Sequence, residues 1–122
     1  MSQKVNCNDP AVLIAVLSSL SQNDTAVIRQ AEKALKPFMK TVQCIPALIG
    51  QLTTSQDVNI RHHSALLLKK KIGKLYPKCS ATQREQLKTT VLNLVTQETV
   101  KVVRIALAGY VYHVFVSRFR IY

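Results

Sequence analysis

Apolar residues recur three and four positions apart along most of this chain, and polar clusters cut the pattern into six segments. Leu13, Val16, Leu17 and Leu20 form the first stripe. It follows Asp9-Pro10, an N-cap acceptor and a proline suited to the first helical position. After the break at residues 21–24, a second helix starts at Asn23 or Asp24 and carries Val27, Ile28, Ala31, Ala34, Leu35 and Phe38. Pro37 is expected to end or kink it. The third carries Val42, Ile45, Leu48, Ile49 and Leu52, with Pro46 in its first turn. Asp57 caps a fourth, whose stripe is Ser64, Leu67, Leu68, Ile72 and Leu75 and which Pro77 stops. Ser80-Ala81-Thr82-Gln83 reads as a capping box for a fifth, with Leu87, Val91, Leu94 and Val95. The sixth carries Val103, Ala106, Leu107, Tyr110, Val111 and Val114.

Six amphipathic helices with short connections predict an all-α fold of three helical hairpins. The second helix of each hairpin repeats a signature: Asp24 leads to Ile28-Arg29, Asp57 to Ile60-Arg61, and Thr99 to Val103-Arg104. Small residues follow each arginine, and the arginines stand 32 and 43 positions apart. That period predicts an α-α superhelix, or solenoid, in which Asp and Arg link one repeat to the next. An ordinary six-helix bundle is the alternative. A solenoid that stops after three repeats has no polar cap. Val103, Leu107, Tyr110 and Val114 are therefore not expected to be fully covered by the fifth helix, leaving a chain that is marginally stable or self-associating.

The chain is strongly basic. Lys and Arg number 17 against 6 Asp and Glu, a formal net charge of +11. A field of that sign favours acidic partners. The fourth helix carries a lysine run, Lys69-Lys70-Lys71, beside its apolar stripe, and Arg29, Lys33, Lys36 and Lys40 share one side of the second. Direct nucleic-acid binding is a rival, but the few aromatics do not interleave with the basic residues as a stacking platform would. The run at residues 69–74 resembles a nuclear-localisation cluster, yet the leucines before it demand a helix rather than an exposed extended signal.

Catalytic chemistry finds little material. The six acids scatter, and three Gly supply no phosphate-binding loop. His62 and His63 are adjacent and so point about 100° apart on a helix, unlike an i, i+4 ligand pair. Cys7, Cys44 and Cys79 are neither a disulfide framework nor a metal set, and read as reduced thiols of a cytosolic or nuclear protein. No signal-peptide pattern opens the chain, and the apolar run at residues 11–17 is too short to span a bilayer. Neither an enzyme, a cofactor nor a metal site is expected.

Ala31-Glu32, Leu35 and Phe38, then Leu48 and Leu52, then Asp57, Ile60-Arg61, Ser64-Ala65, Leu68-Lys69, Ile72 and Tyr76 resemble the amino-terminal domain pattern of the importin-β (karyopherin-β) family. Ser64 stands where that family usually has Ala, Lys70 where it has Asn, and Tyr76 where it has Trp. The match is detailed over residues 23–76 and continues through residues 80–108 in the manner of a third repeat. The resemblance implies about three HEAT-type hairpins at residues 9–108, after a flexible start at 1–8. Residues 109–122, aromatic, β-branched and basic, read as an atypical continuation, or as the tail of a truncated or spliced product.

The resemblance also implies a role in nuclear import, between cytoplasm and nucleus, with the GTP form of the GTPase Ran as partner. By position the Ran-facing candidates are Arg29, Glu32, Lys33, Lys36, Arg61, Lys69 and Lys70, with Lys69 matching the motif lysine. Cargo proteins with basic signals, and nucleoporins, are partners of the full-length family through later repeats. Arg29, Arg61 and Arg104 read more readily as repeat-to-repeat links, and Lys71, Lys74 and Lys78 as a solvated face. A structural fragment that binds neither Ran nor nucleic acid is the remaining alternative.

Overall fold

A computed structural model describes residues 5–116, with side chains through Tyr112. The described residues are helical, with no strand. The helices are α1 (Pro10–Ser19), α2 (Thr25–Phe38), α3 (Cys44–Thr54), α4 (Val58–Leu75), α5 (Ala81–Gln97) and α6 (Lys101–Val116), and a single 3-10 turn at Tyr76–Lys78 follows α4. They form three helical hairpins, the expected α-α solenoid.

Local chemistry places most helix starts. The carboxylates of Asp9, Asp24 and Asp57 accept from the N–H groups of Ala11, Ala26 and Asn59 at 3.0, 2.9 and 2.8 Å. Each satisfies a donor that the first turn leaves unpaired. Ser80 and Gln83 exchange hydrogen bonds at 2.8 and 3.1 Å, the capping box expected for α5. Pro37 does not stop α2, which runs one residue further to Phe38. A proline this near the end leaves one helical bond unmade instead of breaking the helix.

The centre of the molecule is α4, which packs against α3 and α6 and is also touched by α1. Its buried face is Ile60, Ser64, Ala65, Leu68, Ile72 and Leu75, with Ser64 and Ala65 fully enclosed. Small residues at such positions let neighbouring helices approach closely. The Ser64 hydroxyl donates to the Ile60 carbonyl at 2.7 Å, so its burial leaves no polar atom stranded.

Cover for α6 departs from expectation. Val103, Leu107 and Tyr110 are completely buried, because α4 and α5 close on the same face together. Val114 lies outside the described side chains. The apolar residues that α6 leaves open are Val102, Ile105 and Tyr112, on a different face.

The link between repeats also differs in its acid. Asp24 and Asp57 cap their own helices; the carboxylate that crosses between repeats is Glu98. Arg61 donates from Nε to Glu98 Oε1 at 3.1 Å and from Nη2 to Oε2 at 3.3 Å. Its Nη1 donates to the Ser55 carbonyl at 3.1 Å. Both side chains are largely enclosed, at 16% and 8% exposure. Arg104 repeats half of this arrangement: it donates from Nε to the Glu98 carbonyl, six residues upstream as Ser55 is upstream of Arg61. Arg61 and Arg104 both occupy the fourth position of their helices, bonded by backbone to Asp57 and Val100. In α2 that position is Ile28, so Arg29 sits one residue later and about 100° around the helix.

Burial pushes the Glu98 carboxyl up, but the Arg61 hydrogen bond, the Val100 and Thr99 N–H groups and the Arg61 charge together hold it below the usual glutamate value. A depressed carboxylate stabilises the fold above its unfolded pKa, and that stability is lost as pH falls through the folded value. Glu98→Ala is accordingly expected to cost about 2 kcal/mol at pH 7, by denaturant titration, and less at pH 3; an equal loss at both pH values contradicts this. Tyr110 supplies a converse case, because its hydroxyl is buried with no hydrogen-bond partner among the described residues. Tyr110→Phe is expected to melt at the same temperature or higher, and a loss above about 1 kcal/mol would show a partner for that hydroxyl.

Candidate functional site

The basic stripe of α2 is set by helical spacing. Arg29, Lys33, Lys36 and Lys40 follow one another at four, three and four residues, and all four are exposed. On α4, Leu67, Lys70 and Lys71 keep the same rhythm along the edge of the buried face. The two stripes face each other across an open groove of about 680 Å³.

That groove exists because α2 packs on α1 rather than along α4. The end of α1 contacts both helices, and Leu20, the residue just past it, lines the cleft. Buried Leu35 and Met39 with half-buried Leu20 and Leu67 make an aliphatic floor. The walls hold six cations and one carboxylate, Glu32. Lysine stems extend an apolar floor while their heads stay in water, so the site is an aliphatic trough with a positive rim.

Other hollows lack this charge. A cleft of about 410 Å³ between α3 and α5 has no charged residue in its lining. A second groove of about 680 Å³, on the far side of α2 beside Val5 and Cys7, has Lys33 as its one cation among the described residues.

Five of the seven sequence candidates meet at the α2/α4 groove: Arg29, Glu32, Lys33, Lys36 and Lys70. Arg61 does not, being held by Glu98 and Ser55 between repeats. Lys69 lies on the α6 side of α4, where its stem crosses Gly109; a Cβ at Gly109 would sit 2.8 Å from the Lys69 Cδ and Cε. Lys71, expected on a solvated face, is half-buried and lines the groove. Lys40 belongs to the α2 stripe in sequence, and its spacing from Lys36 was the available signal. Nothing local in the sequence marked Leu20, which reaches the site only through the placement of α1.

The three thiols and the paired histidines sit outside the groove. Burial pushes all three thiols up, Cys44 to about 12 with the nearby Cys79 adding to the rise and Lys71 opposing it. A thiol so raised stays protonated at neutral pH. The His62 and His63 rings stack at 6.1 Å between centroids, and His63 Nε2 lies 3.0 Å from the Ser21 hydroxyl, tying the α1–α2 loop to α4. Burial, then His62, lowers the His63 pKa. No group of three or more His, Cys, Asp or Glu is gathered for a metal among the described residues. No described helix is long and apolar enough to cross a membrane.

Comparison with known proteins bears on what such a groove serves. The Importin-beta N-terminal domain family matches residues 31–97, more than half of the chain. Importin-4 of Mus musculus is 34% identical over 100 residues, and Importin-4 of Homo sapiens 31% over the same length. Each alignment covers 82% of this chain and 9% of the relative, so the chain spans about a tenth of the length of those proteins. The matched segment runs from the middle of α2 to the end of α5 and holds most of the groove. With that match on the same helices whose packing and charge define the site, the chain belongs to the importin-β family and carries its amino-terminal domain.

Proposed function

We propose that this chain is the Ran-binding end of a nuclear import receptor, recognising the GTP form of Ran through the α2/α4 groove. The observation that carries the reading is the convergence of Arg29, Lys33, Lys36 and Lys70 on one aliphatic trough within an importin amino-terminal domain. A groove of one sign steers an oppositely charged protein face and raises its association rate. Lys69 extends the same layer toward α6, and Arg61 serves by keeping the repeats in register. Release of cargo on Ran-GTP binding, cargo with basic signals, nucleoporin contacts and passage between cytoplasm and nucleus belong to the longer receptor, of which this chain covers a small part. No catalytic step, cofactor or membrane enters this reading.

A pull-down with Ran loaded with GTP or GDP tests it. Ran-GTP is expected to be retained and Ran-GDP not. The double variant Lys36→Glu/Lys70→Glu is expected to reduce retention by about tenfold or more, or about 1.4 kcal/mol. Lys78→Glu, an exposed charge reversal outside the groove, is expected to leave retention unchanged. Equal retention of both nucleotide forms, or indifference to the double reversal, contradicts the proposal.

A further inference from the structure

The lining of the groove says more than its charge. A rim of cations alone would accept any polyanion, but here the rim encloses an aliphatic floor, where half-buried Leu20 and Leu67 still show apolar surface. The lining contains no aromatic ring, so it offers nothing on which a nucleobase would stack. Glu32 stands among the cations. A carboxylate there repels a continuous phosphate backbone, yet accepts a hydrogen bond from a peptide N–H or a hydroxyl. The volume of about 680 Å³ lies in the range of clefts that enclose a compact ligand or a short peptide segment.

We infer that the α2/α4 groove takes an acidic protein segment that presents one bulky apolar side chain, the anchor resting on Leu20 and Leu67 while flanking carboxylates meet Arg29, Lys33, Lys36 and Lys70. This deepens the Ran reading, on which it rests for the identity of the protein presenting the segment. The division of labour is physical. Carboxylates supply steering and orientation, and are weakened by salt because the rim is exposed. The anchor supplies a salt-insensitive part by removing aliphatic surface from water. The neutral α3/α5 cleft and the Lys33-only groove beside Cys7 offer no such pairing of rim and floor.

Fluorescence polarisation on the 122-residue chain tests this. The probe is a labelled peptide of alternating glutamate and serine with one central leucine. The comparison probes are the same peptide with serine for the leucine, and a single-stranded oligonucleotide of equal charge. The leucine peptide is expected to bind about tenfold more tightly than the serine peptide, a ratio that persists when added salt weakens both. Lys36→Glu/Lys70→Glu is expected to abolish binding of either peptide. Leu67→Ser is expected to bring the ratio close to one while the serine peptide still binds, and Leu20→Ser, checked by thermal melting, gives the same reading if Leu67→Ser does not fold. Equal affinity for the two peptides, or tighter binding of the oligonucleotide, overturns the inference. The failures are distinguishable. Peptide binding with no retention of Ran-GTP removes the Ran reading alone, whereas Ran-GTP retention without preference for the leucine peptide removes this inference alone.

Discussion

The structure depends on the close packing of α4 against α3 and α6. Ser64 and Ala65, both fully buried, give α4 a face on which neighbouring helices can settle at short distance. Three consequences follow from that one helix. Its buried stripe covers Val103, Leu107 and Tyr110, so the last hairpin is closed on the side where an uncovered face was expected. Its first turns carry Arg61, which reaches Glu98 and fixes the following repeat. Its far edge carries Leu67, Lys70 and Lys71, which form one wall of the groove. A helix committed on one side to α3 and α6 does not also pack along α2, and the end of α1 contacts both α2 and α4. The groove is thus the complement of the packing elsewhere.

Charge is distributed by the same logic. The net charge of +11 is too coarse to locate a site, because exposed lysines on any helix contribute to it. What distinguishes the α2/α4 groove is that two helical stripes of cations confront each other over aliphatic surface, while the α3/α5 cleft is neutral in its lining. The part-buried pair between Arg61 and Glu98 belongs to a different category. It links two repeats and engages the Arg61 guanidinium, so an arginine that matches a family position by sequence is held between repeats and outside the groove in this chain.

Much of this was legible in the residues. Caps at Asp9, Asp24, Asp57 and Ser80 are local chemistry, and each appears where the sequence places it. The α2 stripe follows from spacing alone, and five site candidates meet as a group. What was not legible is non-local. Arg29, Arg61 and Arg104 look equivalent in sequence, but Ile28 occupies the fourth helical position of α2, which rotates Arg29 toward the groove and away from the repeat-linking role. That Glu98, rather than an aspartate, bridges the repeats depends on where the α5–α6 loop lands. Leu20 and Lys71 join the site through the packing of α1 against α2 and α4, which no short-range pattern encodes.

On the proposed reading, the gap beside α4, rimmed by α2, is the surface through which this importin-type domain meets Ran-GTP. Hydrogen exchange of the chain with and without Ran-GTP tests it most directly. Slowed exchange is predicted in the amides of α2 from Arg29 to Lys40 and of α4 around Leu67 to Lys71, with α3 and the outward face of α5 unchanged. Slowing confined to α3 and α5, with the α2 and α4 amides unaffected, would contradict the account.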